Sequence, residues 1–140
     1  MERNEVSPPK KILIVDDNED SRDLAAKILE RFGYVIVQAV DGEEALAKAF
    51  SEKPDLILMD RSLPKIDGLE VTRRLKQEET LKGIPIVALT AHAMRGDREK
   101  ALEAGCDGFI SKPINVRLLP EQVRSCLDAR SGSVSGGEQE

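Results

Sequence analysis

The sequence predicts a single α/β domain, one parallel sheet with helices on both faces, and three observations predict it. Five short apolar runs recur along 140 residues, each is followed by a stretch with helical spacing, and four of the runs end in side chains that carry chemistry. Ile12-Leu13-Ile14-Val15 runs into Asp16-Asp17, Leu56-Ile57-Leu58-Met59 into Asp60, Ile84 to Leu89 into Thr90, and the run around Phe109-Ile110 into Ser111-Lys112-Pro113. In an open parallel sheet the carboxyl ends of the strands lie side by side, and that edge is where such sheets bind ligands.

Strands are expected at Lys11–Val15, Val35–Gln38, Leu56–Met59, Ile84–Leu89 and Gly108–Ile110, where β-formers cluster between polar or turn residues. The first helix spans about Asp20 to Phe32, with Leu24, Ile28, Leu29 and Phe32 on one face and Gly33 as a left-handed terminator. The second follows Asp41-Gly42, shows Ala45, Leu46, Ala49 and Phe50 at helical spacing, and ends before Pro54. The third follows Asp67-Gly68 through about Lys76, with Leu69, Thr72 and Leu75 inward. The fourth, about Ala93 to Ala104, is mostly charged and offers mainly Ala93, Ala101 and Ala104, with Met94 and Leu102, so it is the least anchored. Its Arg95 to Arg98 stretch reads as a solvated face. The fifth, about Asn115 to Leu127, has Val116, Leu119, Val123 and Leu127 in register, and Pro120 is tolerated near its first turn. Five short right-handed crossovers fit the flavodoxin-like (βα)5 three-layer sandwich, with strand order 2-1-3-4-5.

Bulk composition narrows the function. The length suits one domain, and 40% hydrophobic residues fill one core. A net charge of -5 opposes binding to nucleic-acid phosphates, and 3% aromatic content opposes stacking on bases. No apolar run approaches a membrane span, so the expected setting is the cytoplasm, with no membrane partner. Cys106 and Cys126 are too few for a zinc site or disulfide framework and read as packed thiols. Residues 1–9 and the Gly/Ser/acid-rich residues 130–140 read as flexible tails around a domain at 10–129.

The strand-end residues define a chemistry. Three clustered carboxylates repel one another, and a divalent cation is the natural way to hold them. Magnesium needs only one or two carboxylates beside its waters and a phosphate, so Asp17 and Asp60 suffice, with Asp16 farther out. A phosphoryl group arriving at Asp60 would meet two positive charges, the metal and Lys112, which makes Asp60 a candidate nucleophile. Thr90 adds a hydroxyl, and the backbone N–H of Ala91 can reach the same oxygens.

Five strings, Ile-Leu-Ile-Val-Asp-Asp-Asn, Asp-Leu-Ile-Leu-Met-Asp-Arg-Ser-Leu-Pro, Asp-Gly-Leu-Glu-Val, Val-Ala-Leu-Thr-Ala and Gly-Phe-Ile-Ser-Lys-Pro-Ile, resemble the bacterial response-regulator receiver domain in order and spacing. The likeness runs from about Lys10 to Ala129. It implies that Asp60 accepts a phosphoryl group from a histidine kinase or histidine phosphotransfer protein, using Mg2+ held by Asp17, Asp60 and the main-chain carbonyl of Ser62. It also implies that Lys112 pairs with the phosphoryl oxygens, that Thr90 and Phe109 shift on phosphorylation, and that the face of helix four, strand five and helix five is remodelled for a downstream protein. A cis Lys112-Pro113 peptide is implied as well.

The chain departs from the common family pattern at several positions. Arg61 follows the acceptor where an apolar residue is usual, and Phe109 lacks the hydroxyl that many relatives carry. Ser62 and His92 occupy the two positions that in the family vary most with dephosphorylation rate; His92 itself reads as an exposed loop residue, with a role in tuning a water as the alternative. An aspartyl-phosphate phosphohydrolase would want an acid two residues after the nucleophile, where Ser62 stands. A flavodoxin-like cofactor site would need a phosphate loop where Asp16-Asp17-Asn18-Glu19-Asp20 repels phosphate. The expected function is therefore a phosphorylatable switch or relay and not an enzyme beyond its own phosphorylation and dephosphorylation. The alternatives are a phosphorylation-independent docking receiver and a fragment of a hybrid kinase, and the start Met1 to Pro9 favours a whole protein. A monomer is expected, with dimerisation on phosphorylation open.

Overall fold

The computed structural model describes residues 9–91 and 95–131. The expected tails lie mostly outside this range, and so do His92, Ala93 and Met94. Five strands and five helices alternate: β1 Lys11–Val15, α1 Glu19–Arg31, β2 Val35–Ala39, α2 Gly42–Glu52, β3 Leu56–Asp60, α3 Gly68–Lys76, β4 Ile86–Thr90, α4 Arg95–Ala104, β5 Gly108–Ser111 and α5 Leu119–Ser131. All strand pairs are parallel, in the order β2-β1-β3-β4-β5. The flavodoxin-like arrangement is as expected.

Alternation along the buried strands splits the core in two. Leu13, Val15, Ile57, Met59, Ile86 and Ala88 pack against α2, α3 and α4, while Ile12, Ile14, Leu56, Leu58, Val87 and Leu89 pack against α1 and α5. Helix starts are fixed by side-chain caps that leave the strand-end loops short. Asn18 accepts from the Ser21 N–H at 2.9 Å, Asp41 from Glu44 at 2.8 Å, and Asp67 from Leu69 at 2.8 Å.

Several expected faces need correcting. In α1 the buried residues are Ala25, Ala26 and Leu29, while Leu24 is 42% and Phe32 60% exposed. Small side chains let this helix lie close to the sheet, and the larger ones project past its rim. Likewise α2 buries Ala45 and Ala49 and leaves Phe50 exposed. β4 starts at Ile86 and not at Ile84: Ile84 donates to Leu81 in a turn, and Pro85 has no N–H for the ladder. α5 starts at Leu119 and not near Asn115, because the Asn115 side chain accepts from Arg117 and Leu118 in a preceding turn that leaves Val116 exposed. Gly33, at φ 91, ends α1 as expected.

The fold brings α3 unusually close to the end of β3. A Cβ on Gly68 would lie 2.2 Å from the Asp60 carbonyl oxygen, and the Gly68 N–H donates to the Arg61 carbonyl at 3.0 Å. Gly68→Ala is expected to cost about 1–3 kcal/mol in urea unfolding, as overpacking against backbone does. Leu102→Ala, at an exposed α4 position, is expected to stay within about 0.5 kcal/mol.

Candidate functional site

The ends of β1, β3, β4 and β5 meet at one sheet edge. Asp16 and Asp17 follow β1, Asp60 closes β3, Thr90 closes β4, and Lys112 follows β5. Oxygens of Asp16, Asp17 and Asp60 all lie within 4.8 Å of one another. Asp16 and Asp60 are 1% and 4% exposed, whereas Asp17 faces solvent. The Lys112 ammonium reaches over both buried acids, 3.1 Å from Asp16 Oδ2 and 3.4 Å from Asp60 Oδ2. Its backbone N–H donates to the Thr90 carbonyl at 2.8 Å, which fixes the end of β5 against β4.

Around this centre the other expected residues fall into place unevenly. The Ser62 N–H donates to Asp60 Oδ1 at 3.1 Å, so the loop after β3 curls back over this carboxylate. Arg61 is half-buried, with its N–H donating to Leu89 at 2.9 Å. Thr90 is buried and Ala91 exposed. The Lys112-Pro113 peptide is cis. Lys112 and Pro113 line a hollow of about 340 Å3 beside the acids, with Ser21, Leu24, Ala91 and Ile114. A larger hollow, about 520 Å3, lies at the amino-terminal edge near Pro85 and Asp107, away from the carboxylates.

The charges are out of balance without a further cation. Burial, opposed by the Ser62 N–H and reinforced by Asp16, pushes the Asp60 carboxyl up from 3.8 to about 6. Burial lowers the Lys112 ammonium, but hydrogen bonding to and attraction by Asp16 and Asp60 outweigh it and raise the group overall. Asp16 Oδ2 is fully buried and, though 3.1 Å from the ammonium, makes no well-formed hydrogen bond. An all-oxygen cluster in which one ammonium serves two buried carboxylates, one of them resisting ionisation, fits a divalent cation such as Mg2+.

Two contacts escaped the sequence. Arg98, expected only on a solvated face, places its guanidinium 5.3 Å from the centroid of the half-buried Phe109 ring, so the α4 face is not merely solvated. Arg22 of α1 donates to the Asp16 carbonyl at 2.9 Å. Neither is signalled by hydrophobic spacing: Arg22 reaches back to the loop before its own helix, and Arg98 reaches across to the next strand.

The raised Asp60 carboxyl has a stability consequence. Below about pH 4 both folded and unfolded chains hold this proton; as pH rises through about 6 the folded state must ionise a group that the unfolded chain ionises near 3.8, so stability is lost across that window. In metal-free buffer Asp60→Asn should therefore be more stable than wild type by about 2–3 kcal/mol at pH 8, and the advantage should vanish near pH 4. Denaturant midpoints at the two pH values check this.

Comparison with known proteins gives this geometry its family. A family model for the response regulator receiver domain matches residues 12–124. The polar-differentiation response regulator DivK of Brucella anthropi is 45% identical over 119 residues, which cover 85% of this chain and 97% of that protein. The chemotaxis response regulator CheY4 of Vibrio cholerae superposes with a TM-score of 0.81 at 30% identity, covering 84% of this chain and 98% of that one. The receiver domain of a sensor histidine kinase from Pseudomonas aeruginosa PAO1, solved with a magnesium ion in its active-site cleft, gives a TM-score of 0.79 at 34% identity, covering 85% and 98%. With its parallel sheet, its acidic edge and these matches agreeing, the chain belongs to the response-regulator receiver family.

Proposed function

We propose that this receiver, taken as residues 10–129, is a phosphorylatable switch or relay whose acceptor is Asp60 and whose donor is a histidine kinase or histidine phosphotransfer protein. The observation that carries the reading is the Lys112 ammonium held 3.1 and 3.4 Å from two buried carboxylates at the edge where three acids converge. Asp17, Asp60 and the Ser62 main-chain carbonyl would hold Mg2+, with Asp16 buried behind them. The metal supplies charge neutralisation that lets a phosphoryl dianion approach the acids.

The chain's own groups do the rest. An Asp60 carboxylate oxygen attacks phosphorus, the P–O bond forms, the P–N bond of the donor phosphohistidine breaks, and its electron pair stays with the imidazole nitrogen. Lys112, freed from part of its pairing with Asp60, neutralises the transferred oxygens. The Thr90 hydroxyl and the Ala91 N–H stand at the end of β4 to meet the same oxygens. The readout surface is α4, β5 and α5: among the described residues, α4 enters the core through Ala101 and Ala104, and Phe109 is half-buried beside it. Movement of Thr90 and an inward turn of Phe109 would shift this lightly held face toward a downstream protein. The chain works through binding, not turnover of an external substrate, and the cytoplasm is where its phosphodonors act. Among the described residues no helix is long and apolar enough to cross a membrane.

Intact mass after incubation with acetyl phosphate tests the chemistry. Wild type should gain the mass of one phosphoryl group only with Mg2+, and Asp60→Asn should gain none. No gain by wild type under any condition would overturn the reading in favour of a phosphorylation-independent docking module. Lys112→Met should slow labelling by about 100- to 1,000-fold, the usual loss for one charge-stabilising donor, measured from the initial rate at saturating Mg2+.

A further inference from the structure

Arg22 takes no part in the chemistry above, yet it holds the loop that carries the acids. It sits half-buried in the first turn of α1, and its guanidinium donates in two directions. Nη1 reaches the Asp16 carbonyl at 2.9 Å, and Nε reaches Gln38 Oε1 on β2 at 2.8 Å. The Asp16 N–H donates to the Ala39 carbonyl at 3.1 Å. The peptide groups on both sides of Asp16 are therefore tied down, one by β2 and the other by Arg22. The second of these is the peptide that leads into Asp17. Asp16 Oδ1 accepts from the Asn18 N–H at 2.9 Å, so the same short segment also sets the start of α1.

We infer that Arg22, braced by Gln38, is a positioning residue for magnesium: its fork fixes the Asp16-Asp17 peptide and so the direction in which Asp17 presents its carboxylate. The inference rests on the magnesium site proposed above. Geometry and charge make opposite demands here, which makes the idea decidable. A guanidinium near three acids disfavours a second cation, so removing it should tighten magnesium binding if charge alone mattered. Removing the brace should weaken binding if orientation matters, typically by about 10- to 100-fold for groups that orient metal ligands. A lysine cannot substitute, because a single ammonium lacks the planar fork that spans a carbonyl and an amide oxygen on different elements.

Mg2+ titration followed by backbone amide NMR shifts of Asp17 and Asn18, below the melting temperature of every variant, separates the possibilities. Arg22→Met and Arg22→Lys should each raise the Mg2+ Kd at least about tenfold relative to wild type, with Gln38→Leu in between. General destabilisation lowers the metal-free melting temperature but leaves the Kd in place, so a Kd unmoved in Arg22→Met overturns the inference. A tighter Kd in Arg22→Met, or wild-type affinity in Arg22→Lys, overturns it as well. If wild type itself shows no magnesium-dependent shift, the metal site fails and this inference falls with it.

Discussion

The ammonium of Lys112 lies between the two most deeply buried carboxylates of the domain and belongs to a different strand from either. Burying Asp16 and Asp60 side by side would be prohibitive without a compensating cation, because each ionised oxygen gives up water and faces a like charge. Lys112 supplies part of that compensation from β5 and thereby couples the far strand of the sheet to β1 and β3. The compensation stays incomplete: Asp60 still resists ionising, and one oxygen of Asp16 lacks a proper hydrogen bond. A pocket built this way is stable enough to fold and still carries negative charge that a further cation would offset.

The rest of the fold serves that imbalance. Largely buried strands on either side of β3 hold Asp60 in a fixed plane, and the caps Asn18, Asp41 and Asp67 turn the chain away from the edge within a few residues of each strand. Gly68 lets the start of α3 press against the Asp60 backbone, so the loop that carries Ser62 has little freedom beside the Asp60 carboxylate. On the other side of the site the packing is lighter, and the aromatic Phe109 is covered by the Arg98 guanidinium in place of a closed apolar wall.

Most of the edge chemistry was legible because each strand announces its end by an abrupt change from an apolar run to Asp, Thr or Ser-Lys-Pro. Asp16, Asp17, Asp60 and Lys112 meet at one sheet edge as the strand pattern implied, and Thr90 closes the neighbouring β4. Helix faces were less legible. A 3.6-residue period groups Leu24 and Phe32 with Leu29, but how near a helix lies to the sheet decides which of its residues are covered, and in α1 the alanines win. Arg22 and Arg98 were invisible for another reason. A long cation carries no sequence signature of its partner, and a backbone carbonyl in the preceding loop or an aromatic ring on the next strand leaves no mark in the apolar pattern.

Among the described residues, α4 enters the core by the methyl groups of Ala101 and Ala104, and this light anchoring has an evolutionary implication. Gly96, Glu99, Lys100, Leu102 and Glu103 of the same helix are exposed, and substitutions at those exposed positions leave the buried sheet untouched. Related domains built on the same plan can thus diverge in what docks on this helix while keeping the same acidic pocket. Duplicated copies can be insulated from one another's signals by rewriting a single helix.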